Sequence, residues 1–412
     1  MVRPVDERLG SRGGGARHID AVAVDPSPGM FAGMSAASTT SWDLAGRLLM
    51  SVEGVDEAQR DAIVAELDPF LPVERAGDAD VIVGHLPSPE LLEMQGPAND
   101  QRMTAVDLDG RLLARFGSRW VEVPPPHEAP VRVDVQTGLD IGLCWREVIR
   151  PAMHQALRDR RAVAVHGAAV DGGPAGGTIV SGWSESGKTE VALALVEAGA
   201  SFLSDKWTVA GPDGEISAFP VGVGVRGWVM PTLPRLQASL PRRARAQLVA
   251  ARLIRTGTGP LLDRAGSGRV TRLATGMVVR AVELGDRAGL SPTEIRQAYG
   301  QADDPARRVQ LTTVVLLLTG PTGRVVVEEA TSGWAARRLA RTAAYERRTW
   351  YDLQERGAYA GLPDRAGARD AAIAAEERLL AAVMDGASRV LRVTCPFPCD
   401  PRRVVDALAA CG

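Results

Sequence analysis

Residues 182–189 read G-W-S-E-S-G-K-T and complete the pattern G-x-x-x-x-G-K-T, a P-loop spacing. That spacing serves phosphate chemistry. A loop with little side-chain bulk can wrap an anion so that several backbone N–H groups point inward. Gly182 opens the loop, and Gly187 lets the backbone approach phosphate without a Cβ in the way. Lys188 supplies a point charge for β- and γ-phosphates. The Thr189 hydroxyl is placed to hold Mg²⁺. Ser184, Glu185 and Ser186 fill the intervening binding positions, and Glu190 follows directly.

Three further residues carry candidate chemistry. Asp205 closes the run Ser201–Ser204, S-F-L-S, which reads as a strand. In an open α/β sheet the carboxyl end of a strand faces the ligand crevice. A carboxylate there orients Mg²⁺ or accepts a proton from an attacking hydroxyl; the alternative is a surface-turn aspartate. Lys206 contacts phosphate or is solvated. His166, within AVAVHGAAVDG, either packs inside a strand or neighbours the phosphate. Arg226 stands among small and apolar residues in GVGVRGW, which suits anion contact or a surface salt bridge.

The elements that must position these groups surround them. Gly177–Ser181 is a short apolar run that suits a buried strand. Val191, Leu193, Ala194, Leu195 and Ala198 give a helix with a broad apolar face, stopped by Gly199. Strand, loop and helix in that order are what the loop motif requires. Upstream, IGLCWREVIRPAMHQALRDR predicts a helix broken or kinked near Pro151. Downstream come a hairpin turning at Asp213-Gly214 and then strands at MVVRAVEL, VQLTTVVLLL, RVVVEEA and SRVLRVTCPF. WAARRLARTAAYERRTWYDLQER reads as one long helix, AGARDAAIAAEERLLAAVMDG as another, and PRRVVDALAA as the last. Nine arginines between Arg235 and Arg272 form either a solvated face or an electropositive dock.

The composition leads to three expected regions. Residues 1–40, rich in Gly, Ser, Ala, Pro and Arg, are expected to be a disordered tail. Residues 41–135 are expected to form a small α+β N-terminal domain. Within it, WDLAGRLLMSV and EAQRDAIVAELDPF read as amphipathic helices, and ADVIVGHL as a strand. A hairpin turns at Asp109-Gly110, and VRVDVQ is a further strand. Residues 136–412 are expected to form a P-loop ATP-binding domain. The 48 basic and 50 acidic side chains nearly balance, which gives no global argument for nucleic acid or a membrane surface. No run of about 18 apolar residues exists, so no transmembrane helix is expected. The N-terminus lacks an apolar core followed by a cleavage site. The cysteines, Cys144, Cys395, Cys399 and Cys411, are expected to be reduced. The expected location is the cytoplasm.

Three segments taken together, HGAAVDG, GWSESGKTEVALALVEAG and SFLSDKW, resemble the catalytic core of the HPr kinase/phosphorylase family. That family shows a histidine-glycine strand, a loop of the form G-x-S-G-x-G-K-S-E, and an alanine-aspartate-aspartate segment. His166 and Gly167 match the first. Gly182, Ser184, Gly187, Lys188, Thr189 and Glu190 match the second, and Asp205 the first aspartate of the third. Lys206 stands where the second aspartate would be. The likeness covers about 45 contiguous residues and is nearer to divergent HPr-kinase-like proteins, some of which phosphorylate a peptide serine. It implies an α/β fold with a P-loop kinase core related to phosphoenolpyruvate carboxykinase, using ATP and Mg²⁺. It also implies a homo-oligomer. In that reading Asp205, Lys188 and His166 are catalytic, and Thr189 and Asp205 hold the metal. Gly182, Ser184, Glu185, Ser186, Gly187, Lys188, Thr189, Glu190 and Arg226 bind the nucleotide. The expected activity is transfer of the γ-phosphate to a hydroxyl, a serine of a protein or peptide. The alternatives are an ATP-binding regulatory or scaffold protein and a small-molecule kinase.

Overall fold

A computed structural model describes residues 39–74, 78–96, 103–172, 176–249, 287–321, 323–396 and 398–411. Of the tail expected over residues 1–40, residues 1–38 lie outside the described residues, as do the strand expected at MVVRAVEL and the arginines from Arg252 to Arg272, while Thr40 already opens a strand. The described residues belong to one compact unit, Ala36–Gly412. Its architecture is mixed α/β, with two mixed sheets, two antiparallel ones and no barrel among the described residues.

The larger sheet has nine strands, running from Pro72–Val73 at one edge to Leu91–Gln95 at the other. It opens with a hairpin, Thr40–Leu44 against Leu48–Val52, where the sequence pattern predicted a helix. Trp42, Leu44, Leu48, Leu49, Met50 and Val52 are all buried, so both faces of the ribbon are covered. A strand buried on both faces loses its alternation and matches a helical pattern equally well. Ala45 and Gly46 both take positive φ, and Arg47 N donates to Leu44 O at 2.9 Å, which closes a turn of primed handedness. The expected helix Glu57–Glu66 is present, capped by Asp56 in a reciprocal box with Gln59. The hairpin at Asp109-Gly110 and the strands Val81–Leu86 and Val131–Gln136 are also present.

The smaller mixed sheet positions the site. Its order is Ser201–Ser204, Gly167–Asp171, Thr178–Gly182, Thr313–Thr319, Arg389–Cys395, Val326–Glu329. The middle three of the last five run parallel, so Gly182, Thr319 and Cys395 end on the same edge. The helix Lys188–Glu197 leaves that edge and is buried almost all round. It packs its apolar surface with Val393, Val404 and Leu408 of the last strand and last helix.

AVAVHGAAVDG, read as one strand, is two strands in different sheets. Val163–Val165 pairs with Thr208–Ala210 in a four-stranded sheet, whereas Gly167–Asp171 pairs with Ser201–Ser204 and Thr178–Gly182. The chain therefore passes between the same two sheets three times, at His166, at Asp205–Trp207 and at Leu311–Thr312. Polar groups hold the first two crossings together. Ser181 Oγ donates to His166 O at 2.6 Å, Thr208 Oγ1 to Gly167 O at 3.1 Å, and the Ser204 and Thr208 hydroxyls lie 2.6 Å apart.

Two helix expectations change in detail. The irregularity near Pro151 is a π-helical turn, Trp145–Ile149, lying just before the proline. Pro151 has no N–H for the carbonyl four residues back and its ring crowds that carbonyl, so the widened turn accommodates it. The long helix from Trp334 is two, Ser332–Glu346 and Arg348–Tyr359. They part at Arg347, whose buried side chain donates to Glu376 on the helix Ala368–Asp385, to which Arg158 also donates at 2.9 Å. Burial acts to raise the Glu376 carboxyl, but Arg347 and Arg158 hold it below its ordinary value. Glu376→Gln should cost about 3–5 kcal/mol at pH 7, because it leaves buried arginine charge unpaired. The pair's contribution is present above the ordinary glutamate range and is lost as pH falls through the lowered value. Urea midpoints against pH should therefore show an acid limb in the wild type that the variant lacks.

Candidate active site

The glycine-rich loop takes its shape from close backbone approaches. Gly182, φ +155°, has no space for a side chain: a Cβ would lie 2.5 Å from Ser186 Oγ and 2.6 Å from Leu317 O. Gly187, φ +91°, is the residue from which the helix starts, and no side chain caps that start. The helix N-terminus, with the positive end of its dipole, is thus left for another anion. Glu185 also takes a positive φ, +64°, which is strained for a residue with a Cβ.

Lys188, only 9% exposed, folds back over the loop and donates to Trp183 O at 2.8 Å and Gly182 O at 3.3 Å. Burial lowers its pKa, against the pull of Asp205, Glu346 and Glu190. Thr189 Oγ1 donates to Asp205 Oδ1 at 2.8 Å, which joins the loop to the sheet crossing. Asp205 is buried, and burial raises its pKa although Thr189, the Lys206 backbone and both lysines oppose the rise. The buried Ser186 hydroxyl has no partner, an orphan donor beside the loop.

Lys206 follows Asp205 at φ +63°, and Trp207 N donates to Asp205 O at 2.6 Å. This is a three-residue turn with a positive central φ, a rare and strained conformation that tends to gather at functional sites. Burial lowers the Lys206 pKa to about 8. His166 lies at the first crossing, with Nε2 4.0 Å from Glu346 Oε1 and its ring 5.1 Å from Trp207. Burial, then Lys188 and Lys206, push its pKa well below the ordinary value, so the ring is neutral.

These groups border one cavity of about 490 Å³. Ser184 to Glu190, Asp205, His166 and Arg226 all line it, and Gly182 lies just beneath, at the end of its strand. Arg226 donates to Glu185 at 2.7 Å, tying a two-stranded ribbon to the loop. Four charged lining residues were not singled out in the sequence: Arg287, Arg146, Arg150 and Glu346. Arg287 sits opposite Arg226 in the ribbon Val223–Arg226 with Arg287–Leu290. Arg146 and Arg150 are four apart on one helix, a spacing that was legible as a cationic stripe. No local signal marked Glu346. The lining holds six cationic side chains, Arg146, Arg150, Lys188, Lys206, Arg226 and Arg287, against the acids Glu185, Glu190, Asp205 and Glu346. That volume is within the range for small-molecule sites, and the sign of the excess suits an anionic ligand.

A second, smaller cavity of about 200 Å³ adjoins it. Arg146, Arg150, Lys206 and Glu346 line both. Among the described residues no group of three or more His, Cys, Asp or Glu side chains could hold a metal alone. No helix among them is long and apolar enough to cross a membrane. The four cysteines are free. No protein-family model matches the chain, and no curated protein matches it.

Proposed function

We propose that this chain is an ATP- and Mg²⁺-dependent phosphotransferase acting on a hydroxyl group, with a P-loop kinase core of the HPr kinase and phosphoenolpyruvate carboxykinase type. The observation that carries the reading is the convergence of Lys188, Thr189 and Asp205 in one cation-rich cavity, with Thr189 and Asp205 2.8 Å apart. Phosphoryl transfer asks mainly for positioning and charge stabilisation. The loop amides, the Ser186 hydroxyl and Lys188 would receive the β- and γ-phosphates. Thr189 and Asp205 offer the hard oxygen donors that Mg²⁺ takes beside nucleotide phosphates, and the bound ion would neutralise charge building on those phosphates.

The acceptor oxygen bonds to the γ-phosphorus, the bond to the β–γ bridging oxygen breaks, and ADP leaves. The hydroxyl proton passes to the Asp205 carboxylate and on to solvent. Asp205 suits this role by position, at the end of its strand beside Lys188 and Thr189 in the one cavity. Neutral His166 neighbours the transferring group as a hydrogen-bonding partner rather than a cation.

The resemblance points to a serine of a protein or peptide as acceptor and to a homo-oligomer. One observation favours a small-molecule acceptor instead: the second cavity, next to Lys206, is far smaller than the first. The test follows γ-labelled ATP with Mg²⁺ and a panel of hydroxyl acceptors. Label moving to an acceptor establishes transfer. Tight ATP binding with neither transfer nor hydrolysis would make the chain a nucleotide-binding regulator.

A further inference from the structure

Three residues that line the second cavity, Arg150, His154 and Arg347, carry buried nitrogens without partners. Arg150 is 7% exposed, its Nε has no hydrogen bond, and its nearest carboxylate oxygen, on Glu66, is 3.9 Å from Nη2. Both ring nitrogens of buried His154 are unpartnered, as is Arg347 Nη1. Three polar residues with unmet donors in the wall of one small cavity are a costly arrangement unless something completes them. His154 is packed edge-on to Trp207, 4.4 Å between ring centres, and Phe219, at 5.0 Å, so it does not rotate away to find a partner in solvent.

The charges around this cavity have a definite balance. Arg146, Arg150, Lys206, Arg347 and Arg348 line it, and Arg347 is already held by Glu376. The acids are Glu147, Glu346 and Asp352. Burial, with Arg146 adding to it, lowers Arg150 to about 10 despite Glu66, the mark of a guanidinium short of counter-charge. An incoming carboxylate would supply that charge. The π turn Trp145–Ile149 puts Arg146 at its second position and Arg150 directly after it, and both reach the two cavities. Widened turns of this kind recur at functional sites.

We infer that the second cavity is the acceptor's subsite, and that it holds the carboxylate of a small hydroxy acid so that the acceptor hydroxyl lies at the junction formed by Lys206 and Glu346. This rests on the phosphotransferase reading and names its substrate class. The volume of about 200 Å³, less than half that of the first cavity, suits a small acceptor. A folded protein's side chain would reach it only as an isolated serine.

The experiment measures transfer from γ-labelled ATP to glycerate, lactate and 3-hydroxybutyrate, to glycerol and lactamide as neutral counterparts, and to a serine peptide with blocked ends. It is run on wild type, Arg150→Gln and Arg348→Gln. Arg348 is exposed and lines only the second cavity, so its variant keeps the test valid if Arg150→Gln fails to fold. The expected result is transfer to at least one hydroxy acid and not to its neutral counterpart. In Arg348→Gln the acceptor KM should rise about tenfold with the KM for ATP unchanged. Transfer to neutral alcohols or the blocked peptide as good as to the acids, with no KM change in Arg348→Gln, would overturn the subsite and leave the phosphotransferase intact. Label that never leaves ATP for any acceptor would overturn both.

Discussion

Lys188→Ala should lower kcat/KM for γ-phosphate transfer about a thousandfold, the scale expected when a preorganised charge is removed from a transition-state site. The side chain is buried, and its ammonium contacts only the carbonyls of Gly182 and Trp183 within the loop. Those carbonyls are poor reasons to bury a lysine, because they leave its charge without a full counter-ion; incoming phosphate oxygens would be better partners. The fold should tolerate the change. The loop's geometry rests on Gly182 and Gly187, and the helix behind it is held by Val191, Leu193 and Leu195 in the apolar cluster. The loss should therefore appear in turnover and ATP affinity, with the thermal midpoint little altered. Lys188→Arg should not restore activity, since a planar fork does not replace a compact charge in so tight a loop.

Asp205→Asn should lower kcat about 10²–10⁴-fold, the contribution typical of a positioned general base, while leaving ATP binding largely intact. The split follows from the local bonding. The amide oxygen of asparagine accepts the Thr189 hydroxyl as the carboxylate does at 2.8 Å, so the link between loop and crossing persists. What disappears is the capacity to take a proton, together with the negative charge that Asp205 would offer Mg²⁺, so the two proteins are compared at saturating Mg²⁺. A variant that keeps full transfer would show that the proton goes elsewhere.

The contiguous part of this site was legible in the sequence because one loop and one helix carry it. Gly182, Gly187, Lys188 and Thr189 fall where the spacing placed them. Asp205 was legible because a short strand ended on it. Arg287 and Glu346 were not, since each is contributed by an element distant in the chain and owes its place to tertiary packing, and the Arg146/Arg150 stripe gave no sign that it would reach this site. The crossing at His166 was hidden for a different reason. AVAVHGAAVDG is evenly apolar, and a strand that changes sheets keeps the same pattern on both sides. Only Gly167 hinted at it, where a Cβ would lie 2.9 Å from Val180 O. The hairpin at Thr40–Val52 was misread because burial on both faces erases the period-two signal. The break at Arg347 has no glycine or proline to announce it; a buried ion pair with Glu376 sets it instead.

The most direct measurement places ATP binding and label transfer side by side in wild type and Asp205→Asn, in the same buffer with Mg²⁺. The account predicts comparable ATP affinity for the two proteins, with γ-label reaching a hydroxyl acceptor only in the wild type. Equal transfer by both, or ATP bound by both and transferred by neither, would contradict it.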